Sequence, residues 1–176
     1  MARQNVMERN AEAGHTWPSY VTSETRGDKG GYRTTLTINT TLPAIAGGAN
    51  LAVGKLIMTF PAGRVFVERS AMSVAIKQTT GNITADTPDV GIGTTIGSGV
   101  QALLSGVGAA SENIITGQTA ADCNGTATAA QVDTFLSINA AADHTVYLNV
   151  ADGWAASGDT GAALSGTVDI FWQKLD

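Results

Sequence analysis

Thr35-Leu36-Thr37-Ile38-Asn39 alternates polar and apolar residues, and that period of two decides how the chain is read. Successive side chains of an extended strand point to opposite faces, so Leu36 and Ile38 share one face and the threonines the other. The rhythm returns in Met72-Ser73-Val74-Ala75-Ile76-Lys77, in Phe135-Leu136-Ser137-Ile138-Asn139 and in Thr145-Val146-Tyr147-Leu148-Asn149-Val150. In the terminal stretch Gly166–Leu175, Val168, Ile170 and Trp172 fall on one face and Phe171 on the other.

Between these strands lie shorter apolar runs and turn signals. Lys55–Phe60 ends at Pro61-Ala62-Gly63, and Val65-Phe66-Val67 resumes beyond it. Asp89–Thr95 and Asn113–Thr116 read as short buried strands, with a helical turn around Val100–Leu104, or a loop, between them. Ala120–Gln131 reads as a small-residue loop centred on Asn124-Gly125. Ala140-Ala141-Ala142-Asp143 offers a tight connection, so the strands on either side of it are expected to pair as a hairpin. About eight strands with no dependable long helix predict an all-β, antiparallel β-sandwich over residues 32–176, with a jelly roll as the favoured topology. No repeat of fixed period suggests a solenoid or propeller.

Residues 1–31 read differently, as an extended N-terminal arm. Val6–Ala13 could form a short helix that Gly14 stops, and it has too few apolar positions to bury a face alone. Trp17 and Tyr20 then provide two aromatic anchors before a polar, Gly-rich stretch.

The chain of 176 residues suits one domain. Only 14% of it is charged, well below the roughly 25% usual in soluble domains, which suggests a surface partly covered by neighbours. The charge is also segregated. Met1–Lys77 carries nine basic and five acidic residues, whereas Gln78–Gln173 has nine acids and no Lys or Arg. The acidic part has nothing with which to neutralise phosphates, so nucleic-acid binding is not expected there. It would instead attract a basic surface, and Arg3, Arg9, Arg26, Lys29 and Arg33 could supply one to a neighbouring copy. Apolar runs fall far short of the ~20 residues of a membrane helix. MARQNVMERN is not followed by the apolar run of a signal peptide, so cytosolic synthesis is expected.

Chemistry-bearing residues are sparse and scattered. His15 and His144 are far apart in sequence, and the single Cys123 adjoins Asp122, an acid that would raise a thiol pKa. Gly91-Ile92-Gly93-Thr94-Thr95-Ile96-Gly97 has the wrong spacing for a dinucleotide fingerprint, and close strand packing explains its glycines better. Asp86 with Asp89, and Asp152 with Asp159, lack the dense oxygen spacing of a calcium loop. No catalytic residue, metal or cofactor is expected. A carbohydrate- or receptor-binding jelly-roll module of a fibre is the competing expectation, and its one good aromatic platform would be Trp154 beside Asp152.

In Leu56–Arg69 (LIMTFPAGRVFVER), Asp89–Gly99 (DVGIGTTIGSG), Glu112–Gly117 (ENIITG) and Gly166–Trp172 (GTVDIFW), the chain resembles the head decoration (cement) and minor virion structural proteins of tailed bacteriophages. The resemblance covers the body from about Leu36 to Trp172 and is one of style and segment order. It implies a protein of the virion surface, assembled in the host cytoplasm. There it would clamp the major capsid protein and associate with copies of itself as a homotrimer, with no role for nucleic acid or membrane. The arm is where a clamp would be sought, at Arg3, Arg9, Trp17, Tyr20, Arg26 and Lys29.

Overall fold

The computed structural model describes residues 13–28, 31–120, 122–140, 144–154 and 157–175. Among them are nine strands: β1 (Val21–Asp28), β2 (Gly31–Thr41), β3 (Ala52–Phe60), β4 (Gly63–Lys77), β5 (Asp89–Gly93), β6 (Ile115–Thr119), β7 (Asn124–Ala140), β8 (His144–Ala151) and β9 (Ala163–Leu175). One helical turn, α1 (Leu104–Val107), and a 3₁₀ turn at Ala109–Ser111 sit between β5 and β6.

The strands form two antiparallel sheets, ordered β1-β2-β9-β4-β7 and β3-β8-β5-β6. Their pairing is nested: β2 with β9, β3 with β8, β4 with β7 and β5 with β6. A long hairpin whose tip is the β5–β6 connection has been rolled, so that β4 also lies beside β9 and β5 beside β8. This is the double-sheet roll predicted from the strand pattern.

The alternation read from the sequence is the burial pattern of the strands. Leu36 and Ile38 of β2 are buried, as are Val168, Ile170 and Trp172 of β9, while Phe171 faces outward. They meet Phe60, Ile57, Met58, Val146 and Leu148 of the opposing sheet in one core. Trp172 is its aromatic centre, with ring centroids 4.8 Å from Tyr32 and 5.1 Å from Phe60. Among the described residues, buried side-chain nitrogens and oxygens find hydrogen-bond partners, with His15 Nδ1 and His144 Nε2 the exceptions. Asn149 accepts from the Gly97 amide and donates to the Thr95 and Ser111 carbonyls, pinning the β5–β6 connection to the sheet. Gly93 passes so close to that connection that a Cβ would run into the backbone of Ala110 and Ser111, which accounts for its glycine.

Three expectations are corrected. Val65-Phe66-Val67 and Met72–Lys77 are one 15-residue strand, β4. Val65 and Val67 face the core, but so do Ser70, Met72, Val74 and Ile76, and this change of phase is absorbed at a bulge around Glu68. Asn124-Gly125 opens strand β7 instead of centring a loop, because Asn124 pairs with Lys77 and Ala127–Gln131 pairs in register with Ala71–Ala75 of β4. Phe135–Asn139 and Thr145–Val150 do not form a hairpin. Each lies in a different sheet, since β4 gives one of them its partner and β3 and β5 the other.

The described part of the presumed arm is built into the body. Ala13 and Val21 are buried in the core, Thr16 and Thr59 exchange backbone hydrogen bonds of 2.9 and 2.7 Å, and β1 extends the five-stranded sheet. Residues 1–12, which include most of the expected helix, lie outside the described residues. Among the described residues no helix is long and apolar enough to cross a membrane.

Candidate interaction surface

The bulge that changes the phase of β4 also shapes its outer face. Between Val67 and Arg69, β4 carries Glu68 against no residue of β9 and against two residues, Thr134 and Phe135, of β7. Phe135 is accommodated with φ of 44°, left-handed backbone that a phenylalanine adopts at a cost of roughly 1–2 kcal/mol. Its ring is nonetheless 69% exposed, so the strain is not offset by burial in the core.

Around this bulge Phe66, Glu68, Arg69, Asp133, Phe135 and Phe171 line an open hollow of about 420 Å³. Phe66 and Phe135 lie with ring centroids 6.5 Å apart. The Arg69 guanidinium stands 4.3 Å over the Phe171 ring, and Arg33 stands 5.4 Å from the same ring. Register makes this a row: Arg26 of β1 lies opposite Arg33 of β2, Arg33 opposite Phe171 of β9, Phe171 opposite Arg69 of β4, and Arg69 opposite Asp133 of β7. Two of the arginines already hold carboxylates, Arg26 with Glu24 at 2.8 Å and Arg33 with Asp169 at 3.0 Å. Burial pushes Asp169 up, but Arg33 and the Thr35 hydroxyl outweigh it and hold that carboxyl below its usual range. Glu68 accepts from the Gln173 amide. Arg69 forms no salt bridge among the described residues and presents its charge to the hollow.

Such a surface, aromatic and arginine-bearing on a rigid sheet, has the composition of a protein-contact hot spot. The sequence reading missed it. The signals were the phase change between Val67 and Met72 and a Phe171 facing the polar side.

The residues expected to make contacts have other surroundings. Tyr20 donates its hydroxyl to the Leu56 carbonyl at 2.8 Å, and its ring lies under Lys55. Trp17 packs against the core of its own domain, 5.3 Å from His15. Arg26 is exposed and belongs to the arginine row. Arg3, Arg9 and Lys29 lie outside the described residues. Trp154 is corrected as a sugar platform: it is 3% exposed and donates its indole N–H to the Leu51 carbonyl.

Acids gather where the β4–β5, β6–β7 and β8–β9 loops meet. Cys123 is fully buried there, and its thiol is pushed up to about 12 by burial and then by the carboxylates of Asp86, Asp152, Asp122 and Asp159. Asp152 is held above its usual value by burial and by Asp86 and Asp89. Asp159 is only 1% exposed, yet its pKa lies far below the carboxylate range. Burial alone would raise it, but the Gly161 amide and the amides and hydroxyls of Thr79 and Thr80 all donate to it. Among the described residues no three His, Cys, Asp or Glu side chains converge as metal ligands would.

No family model matches the chain, and no curated protein matches it. Among solved structures, an arabinose-bound MgGH51 α-L-arabinofuranosidase is similar at 11% identity with a TM-score of 0.37, over 91% of this chain. The chain spans 23% of that enzyme's length, and a likeness at this level carries no argument about what the present chain does.

Proposed function

We propose that the chain is a non-catalytic structural subunit of a larger particle. In its specific form it is a decoration (cement) protein on the outer surface of a phage head, contacting the major capsid protein and copies of itself as a homotrimer. The observation that carries this reading is the outer face of the five-stranded sheet. It keeps an exposed phenylalanine in costly backbone beside two further phenylalanines and a row of arginines. Strain that stabilises nothing in the fold is best explained by a contact outside it. The sparse charge of the whole chain supports the same view, because covered surface needs fewer ions to stay soluble.

Mass spectrometry of purified particles tests the reading. Copies in fixed, lattice-scale proportion to the major capsid protein are expected, and heads stripped of the protein should bind it back in a sedimentation assay. Absence from the particle, or only a few copies per particle, overturns the decoration reading.

A further inference from the structure

Segment Ala13–Tyr20 crosses from one sheet to the other. Thr16 pairs with Thr59 on the edge of β3 that β8 leaves free, and the chain then enters β1 at Val21, an edge of the five-stranded sheet. The segment thus straps one open side of the sandwich. Ala13 and His15 are buried, at 2% and 3% exposure, while Gly14 and Thr16 between them are exposed. Apart from His15 and the packing of Ala13 and Trp17, its hold is slight. It consists of the two Thr16–Thr59 backbone bonds, the Tyr20 hydroxyl on the Leu56 carbonyl and the Asn39 amide on the Tyr20 carbonyl. The β2–β9 ladder, by contrast, runs unbroken from the Tyr32–Trp172 pair to the Thr41–Ala163 pair. A strap held so lightly can lift as a local opening that leaves the ladder intact.

His15 is the titratable group inside this strap. Its Nε2 lies 3.1 Å from both the Ser23 and the Thr25 hydroxyls of β1. Its ring sits 5.3 Å from Trp17 and 5.9 Å from Trp172 of β9, neither of which offers a hydrogen-bond acceptor. Nδ1 has no partner among the described residues. The neutral ring carries one N–H, and the imidazolium carries two. Nε2–H would still find a hydroxyl, but Nδ1–H would be a charged donor in the core with no acceptor. The charges of the neighbouring elements are turned elsewhere. Glu24 and Arg26 of β1 pair at 2.8 Å, and Arg33 of β2 pairs with Asp169 of β9 at 3.0 Å. Lys55 of β3 stands over the Tyr20 ring, and Lys174 of β9 is exposed. Tyr32 of β2 packs on Trp172, and His144 of β8 registers opposite Phe60, across β3 from the strap. None of these acts on His15, whose pKa burial alone lowers from 6.5 to about 4.

We propose that Ala13–Tyr20 is an acid-released strap, latched by the neutral ring of His15 and freed by its protonation while the two sheets stay paired. Release reopens the β3 edge at Thr59 and uncovers the Trp172 side of the core, so the chain presents this edge only in acid. A freed His15 titrates at its ordinary value and a latched one far lower. Opening is therefore unaffected above pH 6.5 and becomes about a hundredfold more frequent by pH 4. The proposal goes beyond the reading of the chain as an assembly subunit and does not depend on it.

Amide hydrogen exchange followed by NMR on the full chain tests it at pH 7, 5.5 and 4, with rates expressed as protection relative to an unstructured chain. The Thr16 and Thr59 amides are expected to be at least tenfold less protected than the core amides of β2 and β9 at every pH. Their protection should fall about a hundredfold from pH 7 to pH 4. In His15→Gln it should be the same at both ends of the range, and in His144→Gln the full response should remain. Far-UV circular dichroism confirms that the variants are folded, and His15→Leu replaces His15→Gln if that one is not. Protection at Thr16 and Thr59 that ignores pH in the wild type overturns the proposal. So does protection equal to that of the β2 and β9 core, which would mean that the strap opens only with the whole fold. A response that survives in the His15 variant, or vanishes in His144→Gln, overturns it as well.

Discussion

The indole N–H of Trp172 donates a 2.9 Å hydrogen bond to the Thr34 hydroxyl, inside the core, between the last strand and the second. Thr34 is 3.1 Å from the Thr25 hydroxyl, which is 3.1 Å from His15 Nε2. One chain of polar groups thus runs from β9 through β2 and β1 to the segment before them. Thr34→Val should leave the buried indole N–H without its acceptor and cost about 1–3 kcal/mol, while Thr34→Ser keeps most of the stability. Urea unfolding followed by tryptophan fluorescence measures the difference.

His15 makes stability depend on pH in a defined window. The residue is 3% exposed, its Nδ1 has no hydrogen-bond partner, and burial lowers its pKa to about 4 from 6.5. Between those values the unfolded chain takes up a proton that the folded chain refuses, so stability falls as pH falls from 6.5 and levels off below 4. The full span is worth about 3 kcal/mol. Asp152, with its raised pKa, acts in the opposite sense, since protonation relieves it in the folded state first. Asp159 and Asp169 lose their contributions only at lower pH, below the ordinary carboxylate range. Thermal melts from pH 7 to 4 should show the His15 slope, and His15→Gln should flatten it.

Asp159 fastens the β8–β9 loop to the β4–β5 loop by accepting from Thr79, Thr80 and Gly161. Asp159→Asn turns an amide donor toward those donors and removes the charge they solvate. A loss of about 2–4 kcal/mol is expected, at roughly 2–4 °C of melting temperature for each kcal/mol in a domain of this size. Differential scanning calorimetry at neutral pH reads it.

Phe135 should separate stability from association. Glycine adopts φ of 44° without penalty, and little buried apolar surface is lost with a ring so exposed. Phe135→Gly is expected to melt no lower than the wild type, within about 1 kcal/mol, while weakening self-association. A clear drop in melting temperature would show that the ring serves the fold.

Cys123 should be inert in the folded protein. Its thiol is buried and pushed up to about 12, so almost none is thiolate at pH 8. An aromatic disulfide reagent should label it only after denaturant is added.

The alternation in β2 and β9 exposed the core face directly, because a half-buried strand writes its environment into every second residue. The hollow was harder to see. It depends on β4 changing phase at Glu68, and a phase change looks in sequence like two short strands. The hairpin proposed for Phe135–Asn139 and Thr145–Val150 failed for a related reason: local spacing cannot distinguish a turn within one sheet from a crossing between two. Trp154 beside Asp152 looked like an exposed platform, and only the Leu51 carbonyl, 103 positions away, explains why the indole is buried.

The place of β9, between β2 and β4 in the middle of its sheet, fixes when this protein can fold. Arg33 and Asp169, which it brings together, are 136 positions apart, so the central strand of the sheet is the last of its five strands to be synthesised. Until β9 emerges from the ribosome, β2 and β4 each present an open edge, and the nascent chain has no complete sheet to close on. Folding therefore waits on β9 and is slow for the length of chain, as expected where distant segments must meet first. A chain cut short before Ala163 should aggregate through those open edges.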